Sequence, residues 1–103
     1  MSCLLQYMKY SHENWFTYIV ECSDGSYYTG ISKNLPKRLL SHNNGLGAKY
    51  TRGKLPVALM WFKELKNKSE ASKLEYRIKK LSKNNKIELV KGKIKAESLF
   101  SKS

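Results

Sequence analysis

The chain has 103 residues, 41% hydrophobic and 12% aromatic, which suits one small folded domain and argues against global disorder. It carries 20 Lys and Arg against 8 Asp and Glu, and a formal net charge of +12 makes nucleic acid the first partner to expect. No apolar run approaches the ~20 residues of a membrane span, the first residues lack a signal peptide's features, and Cys3 and Cys22 are too few for a disulfide framework or metal cluster, so a reduced, cytoplasmic protein is expected.

Residues 1–14 read as a weakly ordered arm, 15–92 as the folded domain and 93–103 as a tail. Trp15 to Cys22 is β-branched and aromatic and reads as a strand. Asp24-Gly25 marks a hairpin turn, and Tyr27 to Ile31 returns as the second strand. Asn34 caps a helix over 35–43, with Pro36 in its first turn and Gly45 past its end. Gly45 to Lys54 follows as a basic, glycine-rich loop. Val57 to Leu65 is apolar at nearly every position, as a central strand covered on both faces would be. A helix over 70–81 with Ser69 as cap comes next. Another covers 83–91, with Ser82 as cap and Gly92 as stop, and the tail has room for a short final turn. The order ββαβαα implies an α+β domain, a small three-stranded antiparallel sheet flanked by helices.

Several residues in this frame suit phosphate chemistry. Arg38 and His42 are four apart and share one helix face with Leu35 and Leu39, which suits rigid phosphate binding. Glu75 lies at the margin of the stripe formed by Ala71, Leu74, Ile78 and Leu81. A lone carboxylate there can serve a hard metal ion, or simply pair with Lys79. Tyr18 and Tyr28 sit in the hairpin, where tyrosines usually pack; together with Tyr7, Tyr10, Tyr27 and Tyr50 they could also offer bases a stacking surface. Trp61 and Phe62 read as core.

Taken together, these positions resemble the GIY-YIG nucleases. The first motif stands as Phe16-Thr17-Tyr18 and the second as Tyr28-Thr29-Gly30. Arg38 and His42 follow at the family's spacing, and Glu75 falls within Leu74-Glu75-Tyr76-Arg77 on a later helix. Gly47-Ala48-Lys49-Tyr50-Thr51-Arg52 is similar to the loop of small stand-alone members, some of them related to the nuclease subunit that resolves branched DNA. Phe16, Thr17 and Thr29 depart from the family's motif residues, as they do in that subgroup.

The resemblance implies a metal-dependent DNA endonuclease, structure-selective in the manner of DNA repair enzymes. Tyr18, Tyr28, Arg38, His42 and Glu75 would be catalytic, with one Mg²⁺ or Mn²⁺ on Glu75. Tyr18 would act as general base, helped by His42, because a phenol with a reference pKa near ~10 is a poor base alone. Lys49, Arg52 and Lys54 would grip the DNA backbone. A protein partner would supply any substrate choice that this domain lacks. The alternative is a catalytically weak or inactive nucleic-acid-binding module on the same fold.

A regular two-residue Asp24-Gly25 turn would send Tyr18 and Tyr28 to opposite sheet faces. If both serve one site, the hairpin needs a bulge or a loop of odd length, and one is expected.

Overall fold

The structure, a computed structural model, describes residues 14–100. The expected arm therefore falls outside the described residues apart from Asn14, as do Cys3, Tyr7 and Tyr10. Among the described residues, no helix is long and apolar enough to cross a membrane.

Two strands, β1 (Trp15–Glu21) and β2 (Tyr27–Ser32), form the hairpin. Helix α1 (Leu35–Asn43), the short α2 (Lys49–Arg52) and strand β3 (Ala58–Leu65) follow. Helices α3 (Lys68–Lys79), α4 (Lys83–Val90) and α5 (Glu97–Phe100) complete the described residues. The sheet is antiparallel in the order β2-β1-β3, so the α+β expectation holds.

Local chemistry explains the boundaries. Asn34 accepts the Lys37 N–H at 3.1 Å and opens α1. Gly45 closes it at φ 78°, donating to the His42 carbonyl at 3.0 Å while Leu46 N–H reaches the Ser41 carbonyl at 2.9 Å. This paired bonding satisfies carbonyls left open at a helix end. Ser82 caps α4 as expected. The cap of α3 is Asn67 rather than Ser69: its side chain accepts the Glu70 N–H at 2.9 Å, which starts the helix at Lys68. The basic loop also holds a turn of helix, α2.

The central strand is β1, not the apolar run of β3. Residues 16 to 20 of β1 are all fully buried. Phe16, Tyr18 and Val20 pack with Leu35 and Leu39 of α1, and Ile19 packs on the other face with Leu74 and Ile78 of α3. The apolar run in β3 has a different cause. Ile19 pairs with Trp61 but Val20 pairs with Leu59, so Met60 is an extra residue that shifts the phase of the strand. Leu59 and Phe62 thereby reach the first core and Trp61 and Leu65 the second, without strict alternation.

The hairpin loop has odd length. Ser23, Asp24 and Gly25 join a pair in which Cys22 N–H donates to the Ser26 carbonyl at 2.8 Å. Gly25 takes φ 85°, as the third residue of such a loop must. The register sets Tyr18 opposite Gly30 and Tyr28 opposite Val20, so both tyrosines lie on the α1 side of the sheet. Gly25→Ala should therefore cost about 1–2 kcal/mol in urea unfolding. Gly53, at φ −92° with open space around it, should accept Ala with no loss.

Candidate active site

Two glycines make room for the centre. A Cβ at Gly30 would sit 2.6 Å from the Tyr18 hydroxyl oxygen, so only glycine lets that phenol cross in front of β2. A Cβ at Gly47 would collide with His42, at Nδ1 and 2.8 Å from its Cα, so the loop can lie flat on the imidazole only there.

A chain of hydrogen bonds then runs through the site. Arg38 Nε donates to the Tyr18 hydroxyl at 3.2 Å, and that hydroxyl lies 3.0 Å from His42 Nε2. His42 Nδ1 is 2.9 Å from Thr51 Oγ1, which donates its single proton to the Ala48 carbonyl, also at 2.9 Å. Thr51 must therefore accept from Nδ1–H, which leaves Nε2 bare to accept the Tyr18 proton. The two titrating members, Tyr18 and His42, are fully buried at 0% exposure. Burial raises the Tyr18 phenol to about 12, although Arg38 pulls the other way. Burial, with help from the Arg38 cation, lowers His42 to about 4. At neutral pH the proton rests on tyrosine and the imidazole is a neutral acceptor.

Tyr28 closes the rim. Its ring meets His42 edge-on at 5.5 Å and stacks on Tyr50 at 5.9 Å. Glu75 arrives from α3, which packs against β1 and the edge strand β2. Its charge raises Tyr18 further, and its carboxylate is 3.2 Å from Lys79, whose ammonium lies 5.9 Å from the Tyr28 ring. Among the described residues no group of three or more His, Cys, Asp or Glu could hold a metal. The donor set fits a hard cation that takes one carboxylate and fills its shell with water and substrate phosphate.

Thus Tyr18, Tyr28, Arg38 and His42 are in contact, with Glu75 beside them. Lys49 and Arg52 are exposed on α2. Lys54 is instead turned to the hairpin: its ammonium is 3.7 Å from both the Asp24 carboxylate and the Tyr50 ring centre. Trp61 and Phe62 pack against the two cores.

Sequence reasoning gives no site role to Thr51 or Thr17. Thr51 carries no signal beyond its place in the basic loop. Thr17 replaces an apolar motif residue, yet it is fully buried and donates to the Ala71 carbonyl at 2.8 Å. That carbonyl is the helical acceptor for Glu75 N–H, so the bond ties β1 to the turn of α3 that carries Glu75.

The catalytic-domain model of the GIY-YIG nucleases matches residues 14–88. The chain belongs to the GIY-YIG family. A UPF0213 protein of Clostridium perfringens is 49% identical over 87 residues, covering 84% of this chain and 94% of its own. One from Halobacterium salinarum is 52% identical over 69 residues, covering 67% and 90%. The solution structure of a UPF0213 protein from Bacillus halodurans aligns with a TM-score of 0.51 at 40% identity, over 86% of this chain and 95% of that one. A second solution structure, of an E. faecalis protein, aligns at 0.54 and 37% identity, over 77% and 84%. The GIY-YIG fold with its three-stranded sheet is thus shared with solved relatives of similar length.

Two predictions follow from this geometry. The folded pKa of His42 lies below its unfolded ~6.5, so the unfolded chain binds more protons between those values. Stability should fall as pH drops from about 6.5 towards 4, by up to about 3 kcal/mol from this group. Urea unfolding of wild type against His42→Asn at pH 7 and 4.5 isolates that slope, which should be shallower in the variant. Gly30→Ala should cost about 1–3 kcal/mol and shift the NMR signals of the Tyr18 ring, because the new methyl group and the hydroxyl compete for one space.

Proposed function

We propose that the protein is a metal-dependent endonuclease that hydrolyses phosphodiester bonds of DNA, selecting structured sites such as flaps or branches. The observation that carries this reading is the hydrogen-bonded chain from the half-buried Arg38 through the buried Tyr18 to the buried His42, with Glu75 at its rim. A phosphodiester cut needs a base for water, a cation for the growing charge on phosphorus oxygens, and a stabilised leaving group. The Tyr18 oxygen takes the proton of the attacking water while its own proton passes to His42 Nε2. The water oxygen bonds to phosphorus as the bond to the leaving oxygen breaks. The leaving oxygen departs with the electron pair of its bond and takes a proton from solvent; imidazolium and neutral phenol remain, and the imidazolium returns its extra proton to solvent. Arg38, its Nε on Tyr18, offers its remaining N–H groups to the non-bridging oxygens.

GIY-YIG nucleases use a divalent metal, and Glu75 is the residue that would hold Mg²⁺ or Mn²⁺ here. Such an ion supplies Lewis-acid stabilisation of phosphate charge. Lys79 must then release the Glu75 carboxylate. The exposed Lys49 and Arg52 supply sequence-independent grip, and Lys54 joins them only by leaving the Tyr50 ring.

The test is cleavage of labelled linear, flapped and branched DNAs with Mg²⁺ or Mn²⁺. Wild type should cut, Glu75→Gln should fall to background, and Arg38→Ala should lose about 10²–10³-fold. Binding without cutting by wild type would instead establish the nucleic-acid-binding module. Because His42 must be neutral to accept a proton, kcat/KM should keep its value down to mildly acidic pH and fall only as pH drops through about 4.

A further inference from the structure

Arg38 takes part in more than the bond to Tyr18. It also borders an open pocket of about 300 Å³ at the start of α1, lined by Ser32, Lys33, Asn34, Lys37, Arg38 and Ser41. Three of these six residues are cations and none is acidic. Gathering like charges around a concavity raises the local potential and favours an anionic occupant.

Three backbone amides of this segment are already engaged. Asn34 N–H bonds Ser32 Oγ at 3.0 Å, Lys37 N–H bonds the Asn34 side chain at 3.1 Å, and Arg38 N–H bonds the Asn34 carbonyl at 3.0 Å. The lining offers a ligand the side chains of Lys33, Lys37, Arg38 and Ser41.

Further cations follow the pocket in chain order. Lys33 and Lys37 stand at one end of α1, Arg38 follows in its first turn, and Lys49 and Arg52 come after its far end. The nine residues of α1 span about 13 Å at ~1.5 Å each, roughly four nucleotides of stacked strand at ~3.4 Å. A free small anion would need only the pocket. A polyanion can reach other surface cations as well.

We propose that this pocket is a second phosphate site, which seats a backbone phosphate of the bound strand next to the one at Arg38. The proposal rests on the nuclease reading for its ligand. It assigns Lys33 and Lys37 a role as point charges that set the strand's path along α1, with no reading of base sequence.

The experiment is binding of a labelled flapped DNA, without divalent metal so that nothing is cut. A single neutral methylphosphonate is moved through the phosphates around the branch, and each DNA is titrated at several salt concentrations. The proteins are wild type, Lys33→Ala/Lys37→Ala and the charge-preserving Lys33→Arg/Lys37→Arg. Both lysines are exposed, and a matching thermal melt checks that each variant is folded.

In wild type, a methylphosphonate should weaken binding at each contacted phosphate, and in the alanine variant one of those positions, next to the phosphate at Arg38, should make no further difference. The slope of log K against log salt should become shallower by about 1 in the alanine variant and be retained in the arginine variant. If the alanine variant keeps the wild-type slope and the methylphosphonate penalty simply adds, the second phosphate site is wrong while the nuclease reading stands. If wild type binds no DNA even at low salt, the nuclease reading fails and takes this proposal with it.

Discussion

One buried hydroxyl, that of Tyr18, organises this molecule. It accepts from Arg38 and donates to His42, and His42 in turn is oriented by Thr51 and the Ala48 carbonyl. Every group in that chain finds a partner, which is what allows polar atoms to lie beside Phe16, Leu35 and Leu39 in the first core. The same burial drives the two titrating groups apart: the phenol holds its proton and the imidazole refuses one. The centre at rest is therefore neutral apart from Arg38, and a proton moves along it only when something else supplies the driving force. An arriving phosphate and the charge it brings would be that something.

Backbone features around the site keep this hydroxyl where it is. The three-residue loop with Gly25 puts Tyr18 and Tyr28 on one face. The missing side chain at Gly30 leaves the phenol its space, and Gly47 lets the loop press against the imidazole. On the opposite face the Thr17 hydroxyl holds α3 against β1 one helical turn before Glu75. Two helices on opposite sides of a thin sheet thus deliver groups to one rim, which works because β2 is an edge strand that α3 can reach past.

The large positive charge is only partly available to a ligand. Lys54, Lys79, Lys80 and Lys83 lie over tyrosine rings, at 3.7 to 5.9 Å from their centres. Lys63 pairs with Glu97 at 2.9 Å and Lys83 bonds the Gly25 carbonyl at 2.7 Å. The Lys79, Lys83 and Lys63 contacts tie helices to the sheet, whereas Lys80 stays at the end of its own helix and Lys54 holds α2. The lysines and arginines along α1 and α2 form a different population, gathered around Arg38 and exposed on the loop beyond it.

The sequence by itself determined the elements and most of their ends, because those depend on neighbours within a few residues. The caps at Asn34 and Ser82, the Gly45 stop and the Asp24-Gly25 turn are local bonds that local chemistry dictates. The spacing of Arg38 and His42 on one helix face was legible for the same reason. Tertiary structure alone decided the rest. That β1 rather than β3 is central depends on pairing partners, and the bulge at Met60 hides the alternation that would have marked β3 as an edge. The Asn67 cap, the engagement of Lys54 with Tyr50, and the tautomer of His42 each turn on which competing contact wins in three dimensions. Thr17 meets Ala71 across 54 positions, and the meeting of Tyr18 with His42 across 24, implied by the family resemblance, gets its 3.0 Å geometry from the fold. No local pattern encodes such meetings; they appear only when the two cores close around the sheet.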